Sequence, residues 1–460
     1  MNTLLSNSLI NAINNWQTLS STINDLTNDK FNYPIFIEGA SGSFSSLLTS
    51  LYVKSIKNKF VSQIQYNSSN KNIKDDSQIS TDILLIVPTE KDELSIIQDL
   101  NTFVEGAEII NFPWWQTVPY RCCPIGSITF GKRAGALSKL AMPDTRQVAS
   151  KKSRIFIMNQ RAFLTPVPPP EYIRKNSFSL EIGQSIDTIQ IANNLIKLGY
   201  IRVPKVTVPG EFTLRGEVLD IFMPGEEFAH RIVFDFDEVE QIKSFSPETQ
   251  SSIETVNSLL IYPMKEVVWN DELVSELENR LKNRKDLSEF DFSSYLTELM
   301  VSHESEGEEL FYPLLWQSEE NNVYQSSVLS YLDSNTKVFF CDYDRQKNSQ
   351  ESFEREFLGL YRKAKTLIET ENARPVPPPQ DILLNFSNLM DFCKNAILFR
   401  TIHGEDSLAK DRFTLEVESP RSFFGNINYL KESIENLLKE EYKIFIFAES
   451  ENQALRINEI

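Results

Sequence analysis

Short apolar runs alternate with segments of helical spacing over the first 160 residues of the chain. The predicted strands are residues 33–38, 82–87, 107–111 and 154–158. The predicted helices between them are residues 47–53, 90–103 and 132–140, after one or two helices within the first thirty residues. Strands that alternate with helices in this way predict a doubly wound α/β domain with a parallel sheet.

Two segments interrupt this alternation. Residues 62–81 are polar and hold few apolar side chains, which predicts a surface loop. Residues 112–120, FPWWQTVPY, are rich in aromatic side chains that could stack on nucleic-acid bases, but positive charge is missing until Arg121. We therefore expect this aromatic stretch to be buried beneath the sheet.

Two proline-rich runs, at 166–170 and 374–379, predict domain boundaries, because polyproline geometry cannot continue a sheet interior. Between them the pattern changes to short β-branched strands around one helix, which predicts an α+β insertion domain over 175–267. Its expected elements are a helix at 185–198 and strands at 178–182, 206–209, 217–222, 231–236 and 241–245.

The α/β domain, predicted over 1–170, is expected to resume over 268–372 with an apolar strand at 337–341. A small α/β domain is predicted over 380–460. Its expected elements are strands at 396–401, 413–417 and 442–447 and a helix at 427–439. A final helix from 451 begins so close to the last residue that we expect this domain to be truncated.

Charge and thiol content narrow the class of protein. The 46 basic and 64 acidic residues give a net charge of −18, which argues against a surface that binds nucleic acid through phosphate neutralisation all over. Four cysteines and three histidines show no paired ligand spacing, so no metal site is predicted, and Cys122–Cys123 is interpreted as a packed turn. Few thiols, no signal peptide and no membrane-length apolar run predict a cytoplasmic protein.

The first predicted strand leads into a glycine loop, Gly39-Ala-Ser-Gly-Ser-Phe-Ser-Ser46. A phosphate-binding loop requires G-x-x-x-x-G-K-[ST], in which the lysine balances phosphate charge and the hydroxyl holds Mg²⁺. Gly39, Gly42 and the hydroxyl of Ser46 are retained, whereas Phe44 replaces the last glycine and Ser45 replaces the lysine. The pattern favours a structural turn between strand and helix over a working nucleotide site.

The partner motif of such a site is an apolar strand that ends in an acidic pair. Residues 338–341 are followed by Asp342, but Tyr343 stands where the second acid is needed. An ordinary solvated acid at a strand end is the favoured reading of Asp342. With both halves of the site degraded, we predict no catalytic residues, no bound cofactor and no ATP hydrolysis by this chain.

The predicted insertion domain carries two arginines in an acidic chain. Arg215 precedes Gly216 in Gly210-Glu-Phe-Thr-Leu-Arg-Gly-Glu-Val-Leu-Asp-Ile-Phe222, a strand pair with a fixed turn, and Arg202 lies shortly before it. Arginines on such a module suit bidentate pairing with carboxylates of a partner. Ordinary surface arginines are the alternative, and we take Arg202, Arg215, Gly216 and Phe222 as the candidate partner-binding residues.

The order of these features resembles the N-terminal part of the bacterial transcription-repair coupling factors. The shared features are the degraded phosphate loop, Val87-Pro-Thr, Phe112-Pro-Trp, Arg133-x-x-x-Leu137-x-x-Leu140, Gly199-Tyr200-x-Arg202, the Gly210–Phe222 stretch, Arg231-Ile-x-Phe-x-Phe236 and Phe245-x-Pro-Glu-Thr-Gln250. The Gly210–Phe222 stretch is the most specific of them, since the excision-nuclease subunit UvrB has it in related form.

The resemblance implies a UvrB-like module: a helicase-like domain interrupted by an insertion domain that binds UvrA, followed by a small third domain. It places Arg202 and Arg215 on the UvrA-binding surface. It also implies that the motor, with its ATP and Mg²⁺, and the parts that bind RNA polymerase and double-stranded DNA lie beyond this chain.

We therefore expect a non-catalytic adaptor that recruits UvrA to stalled transcription. One alternative is an ATP-dependent DNA helicase or UvrB-like damage-binding subunit, which would require nucleotide binding despite Phe44, Ser45 and Tyr343. UvrB also has a tyrosine-rich hairpin, whereas residues 121–154 hold one aromatic, Phe130. Another alternative is an acidic scaffold unrelated to repair.

Overall fold

The structure, a computed structural model, describes most of the chain. It covers residues 16–40, 42–69, 82–104, 106–121, 126–142, 153–316, 325–371, 373–401, 408, 411–415, 417, 426–446, 448 and 450–459. The predictions for Cys122–Cys123 and for residues 70–81 lie outside these ranges.

The described strands form three sheets. In chain order they are β1 (Ile35–Glu38), β2 (Asp82–Val87), β3 (Ala107–Asn111), β4 (Ser153–Asn159), β5 (Phe178–Glu181), β6 (Ile201–Arg202), β7 (Glu211–Arg215), β8 (Val218–Ile221), β9 (Ala229–Asp235), β10 (Glu238–Phe245), β11 (Ser252–Val256), β12 (Ser258–Ile261), β13 (Lys337–Phe340), β14 (Ala396–Arg400) and β15 (Asp411–Thr414). The largest sheet, called the main sheet below, has seven strands in the order β15-β1-β14-β13-β2-β4-β3, and every pair in it is parallel.

Helices connect the strands of the main sheet. The described helices are α1 (Gln17–Thr27), α2 (Phe44–Ser69), α3 (Glu90–Phe103), α4 (Ser127–Ala141), α5 (Gln160–Phe163), α6 (Pro170–Lys175), α7 (Thr188–Lys197), α8 (Asp271–Asn283), α9 (Ser293–Ser302), α10 (Tyr343–Glu371), α11 (Pro379–Ile382), α12 (Phe386–Phe392), α13 (Ile427–Lys439) and α14 (Glu451–Asn458). Thr89 caps α3 by accepting from the Asp92 N–H, so the predicted helix begins where its capping residue requires.

The main sheet is covered on both faces, which is why its strands are continuous apolar runs. Successive residues of one strand enter different cores: Leu84 and Ile86 pack in one, whereas Ile83 and Leu85 pack in the other. The aromatic stretch lies in the first of these cores, where Phe112, Trp114 and Trp115 are buried. The prediction of burial beneath the sheet is confirmed.

Between α6 and α8 the chain forms the insertion module, residues 178–267. Its six-stranded sheet has the order β11-β10-β9-β8-β7-β6, antiparallel except for the β6–β7 pair, and β5 pairs with β12 beside it. A core of side chains from α7 and the sheet holds the module together. The predicted fold class, a parallel-sheet α/β domain interrupted by an α+β insertion, is confirmed.

Three predicted segments differ in the structure. Residues 62–69, expected in a loop, continue α2, in keeping with the helical spacing of Phe60, Val61 and Ile64. Residues 206–209, expected as a strand, form a turn because the N–H groups of Thr207 and Val208 donate to the Glu211 carboxylate at 2.7 and 3.0 Å. Residues 442–446, expected as a strand, lie outside the described strands.

The proline runs are packed rather than free linkers. The Val167 N–H donates to the Ser326 carbonyl at 2.8 Å, and the hydroxyl of Tyr120 donates to the Pro377 carbonyl at 2.9 Å. Beyond the second run, β14 and β15 flank β1 in the main sheet. The predicted separate domain over 380–460 is therefore corrected: its first two strands complete the main sheet, because β1 offers them two parallel edges.

Candidate functional site: a glycine loop and an arginine-bearing insertion module

The glycine loop lies at the carboxyl end of β1, where a parallel sheet of this class binds ligands. Gly39 and Gly42 both have positive φ, at +84° and +57°. Both glycines therefore adopt the left-handed backbone conformation that the predicted turn between strand and helix requires. α2 follows directly, with Phe44 as its first residue.

The chain that follows β15 lies against the start of this loop. The Leu415 N–H donates to the Glu38 carbonyl at 2.9 Å, so the backbone of Leu415 continues alongside β1. A Cβ placed on Gly39 would lie 2.1 Å from the Leu415 oxygen. The glycine at this position is thus required by a close backbone approach from the same chain.

The two hydroxyls at the end of the loop are used within the protein. Ser46, which retains the Mg²⁺-binding hydroxyl of the motif, is fully buried, and its Oγ donates to Asp99 Oδ2 on α3 at 3.1 Å. Ser45, in the lysine position, is buried and lies 3.3 Å from the Gly42 carbonyl. The Phe44 ring lies 5.9 Å from the Trp16 ring, and both residues pack against a core of the main sheet.

The degenerate acidic motif follows β13, two strands from β1. Asp342 has a positive φ of 51°, and burial raises the pKa of its carboxyl. Tyr343 is buried, with its ring 5.9 Å from Phe36 and 6.1 Å from Phe386. Tyr343 is therefore a core residue.

Two arginines near the degenerate acidic motif form ion pairs within the protein. Arg400 at the end of β14 pairs with Asp344 at 2.6 Å, and Arg345 pairs with Asp92 at 3.0 Å. With phenylalanine and serine in the loop and the arginines paired, the residues present do not fit a nucleotide triphosphate with Mg²⁺. Among the described residues, no cluster of three metal-ligating side chains occurs.

The insertion module brings its two candidate arginines together. β6 is the edge strand and lies parallel to β7. The Arg202 guanidinium donates to the carbonyl of Leu214, the residue before Arg215, at 3.2 Å. Both arginine side chains are exposed, and Gly216, also exposed, makes the turn to β8 with a φ of +57°.

Phe222 differs from its predicted role. It is 7% exposed and packs with Val206, Ala229 and Phe245 in a small core of its own. Phe222 is therefore a core residue, packed where β9 begins and β10 ends. The prediction that it faces a partner is corrected. Strand alternation alone does not reveal that this side of the sheet has a second core.

The attachment of the module is a feature that sequence reasoning missed, although the resemblance included Arg133. The buried guanidinium of Arg133 on α4 forms a bidentate ion pair with Glu266, and its Nη1 donates to the Pro113 carbonyl at 2.8 Å. Gly131 and Gly135 on α4 let Pro224 and Tyr262 of the module approach closely. The short spacing of two glycines within one helix was the available signal.

Comparison with known proteins gives matches to the module and to most of the chain. A family profile described as the UvrB interaction domain matches residues 178–267. A transcription-repair-coupling factor of Borreliella burgdorferi is 30% identical over 383 residues, which are 82% of this chain and 31% of that protein. The chain is therefore similar to a transcription-repair-coupling factor over most of its length.

Other transcription-repair-coupling factors match more distantly. The protein of Bacillus subtilis is 22% identical over 398 residues, or 82% of this chain and 32% of that protein. That of Rickettsia bellii is 30% identical over 203 residues, or 44% of this chain and 17% of that protein. The chain thus spans about a third or less of the length of these curated relatives.

Within the residues that the structure describes, no helix is both long enough and apolar enough to span a bilayer.

Proposed function

We propose that this chain is an adaptor that recruits UvrA to stalled transcription, and that it binds UvrA through Arg202 and Arg215 of the insertion module. The supporting observation is the pair of adjacent exposed arginines on a module that matches a UvrB interaction domain. A guanidinium held beside a rigid hairpin suits bidentate pairing with a partner carboxylate. Recruitment by tethering then raises the local concentration of UvrA.

In this proposal the motor, the RNA-polymerase contact and the contact with double-stranded DNA belong to parts of the family protein beyond this chain. The proposed location is the cytoplasm, where transcription and excision repair meet in bacteria. The chain itself carries no catalytic residues in this proposal.

Binding of purified chain to UvrA, measured by calorimetry, tests the proposal. R215E reverses charge at an exposed site and should weaken binding by about tenfold or more, because it replaces an attraction with a repulsion. K285E is the matched control, because it reverses the charge of an exposed side chain outside the module, and it should bind like the parent chain. Equal affinity for R215E and K285E would remove Arg215 from the interface.

A second measurement concerns nucleotide. We expect calorimetry with Mg-ATP to show no binding at the glycine loop, since the loop lacks its lysine and the Leu415 backbone lies against Gly39. Saturable binding that is lost in S46A would instead support the alternative of an ATP-dependent helicase or damage-binding subunit.

A further inference from the structure

An aromatic side chain projects from the hairpin that joins β9 to β10. Asp235 pairs with Glu238, which leaves Phe236 and Asp237 as a two-residue turn. Phe236 is 81% exposed, the largest exposure among the large hydrophobic side chains of the described residues. Its burial within the chain therefore contributes almost nothing to folding.

The backbone at Phe236 is also unfavourable for this residue type. Its φ is +55°, in the left-handed region that bulky residues avoid and that glycine adopts freely. Two-residue hairpin turns that need a positive φ usually have Gly, Asn or Asp at that place. A phenylalanine here has neither a conformational nor a packing advantage, so its presence points to a role outside the fold.

The surrounding backbone holds this turn in place. The Ile186 N–H donates to the Asp237 carbonyl at 2.6 Å, and the Val239 N–H donates to the Gln184 carbonyl at 2.9 Å. The segment before α7 thus supports the hairpin from the side. The Phe236 ring is presented on a fixed support, which lowers the ordering cost of binding.

This turn lies at the same end of the sheet as the candidate arginines. Val218 pairs with Val233, and the Phe234 N–H donates to the Glu217 carbonyl at 2.8 Å, so the turn at 216–217 and the turn at 236–237 are neighbours. Two strand spacings separate them, about 10 Å. We call residues 215–217 and 235–238 together the hairpin end.

Charge divides the hairpin end into two parts. Arg202 and Arg215, with Glu217 as the one exposed acid of residues 215–217, give one part a net positive charge. Asp235, Asp237 and Glu238 are exposed around Phe236 and make the other part acidic. A partner that fits this end has acidic groups opposite the arginines and an apolar pocket with a basic rim opposite Phe236. Such a pattern fixes the orientation in which the partner binds.

We propose that Phe236 is an aromatic anchor of the UvrA-binding surface, inserted into an apolar, basic-rimmed pocket of UvrA. This inference rests on the proposed function and extends it by one residue and by the chemistry of the pocket. Aromatic and arginine side chains dominate binding energy in protein interfaces, and here both types lie at the same end of the sheet.

The test uses the full 460-residue chain and UvrA in calorimetry, with thermal unfolding of each variant alongside. F236G relieves the unfavourable φ, so its melting temperature should equal or exceed that of the parent chain. Its affinity for UvrA should fall by about tenfold or more, whereas F236W should keep an affinity close to that of the parent. F290A removes an exposed aromatic outside the module and is the matched control.

The outcomes separate the two proposals. Parent-like affinity of F236G, together with weak binding of R215E, would overturn the anchor while leaving the proposed function intact. Absence of binding by the parent chain would overturn both. If F236G changes only self-association, as measured by light scattering, Phe236 contacts a second copy of this chain and the assignment to UvrA is wrong.

Discussion

Glu93, in the first turn of α3, is a buried carboxyl at the carboxyl edge of the main sheet. The side-chain amide of Asn159 donates to its Oε2 at 2.7 Å. Burial is the largest influence and raises the pKa of Glu93 to about 7, although hydrogen bonds from Asn159 and Asn111 oppose the rise. The protonated form is therefore favoured in the folded state relative to the unfolded chain.

The pH dependence of stability follows from this raised pKa. Between the unfolded value near 4.5 and the folded value of about 7, the folded state binds more protons, so stability falls as pH rises. The full effect is at most about 3 kcal/mol. We expect E93Q to lose less stability than the parent chain between pH 5 and pH 8, measured as melting temperature. Parallel pH profiles for the two proteins would contradict the raised pKa.

Arg215 and Phe236 show what can be predicted about individual residues. Arg215 could be proposed from the sequence because a cation beside a turn glycine in an acidic chain is unusual. Phe236 could not, since a positive φ at a non-glycine residue is set by the turn and by the segment that supports it. Its exposure depends likewise on which strands are neighbours, and spacing along the chain does not give that order.

At the scale of elements, α4 shows a helix adapted to its neighbour. Gly131 and Gly135 lie one turn apart and face the insertion module, with a Cβ on Gly131 only 2.0 Å from Pro224 Cβ. Glycine costs a helix about 1 kcal/mol relative to alanine. Close packing of the module against α4 offsets that cost, and it fixes the hairpin end relative to the main sheet.

Replacing either of two helical glycines by alanine should therefore change the free energy of unfolding in opposite directions. G131A should lower the free energy of unfolding by about 1–3 kcal/mol, because the added methyl group has no space beside Pro224. G359A, in α10 with open space around it, should raise it by about 0.5–1 kcal/mol. Chemical denaturation of both variants checks the pair, and a stabilised G131A would mean that the module shifts freely on α4.

Individual strands and helices were predicted more reliably than the distant parts of the chain that they contact. The strand at 82–87 and the helix at 90–103 follow from apolar runs and periodicity, and the structure has both. The proline run at 166–170 comes shortly before the insertion module, as predicted, whereas the run at 374–379 is not the domain boundary that was expected. Tyr120, far away along the chain, contacts this second run, and spacing along the chain does not show such a contact. The expected strand at 442–447 has the composition of a strand, but its described residues 442–446 pair with no strand of the main sheet.

At the scale of the whole molecule, the main sheet joins segments from both ends of the chain. β1 lies between β14 and β15, while the described residues of α13 and α14 include none that is buried. The sheet therefore depends on residues up to about 415 and not on the two last helices. The proline run at 374–379 is consequently not a place where the chain divides.

Two shortened chains test this dependence. A chain that ends at residue 425 should keep the melting temperature of the parent to within a few degrees, because it retains all strands of the main sheet. A chain that ends at residue 379 should fail to give a cooperative transition, since β1 loses both of its neighbours. Cooperative unfolding of the shorter chain, followed by circular dichroism, would show that β14 and β15 are dispensable.

The position of β1 between two late strands has a consequence during synthesis. About 360 residues separate Glu38 from Ala396, the start of the first strand that can pair with it. At bacterial translation speeds the ribosome needs roughly 20 to 70 s to produce them. Throughout that time the apolar segment Ile-Phe-Ile has no strand to pair with on either side. Unpaired apolar strands are prone to aggregation, so this segment is exposed to that hazard until β14 and β15 have been synthesised.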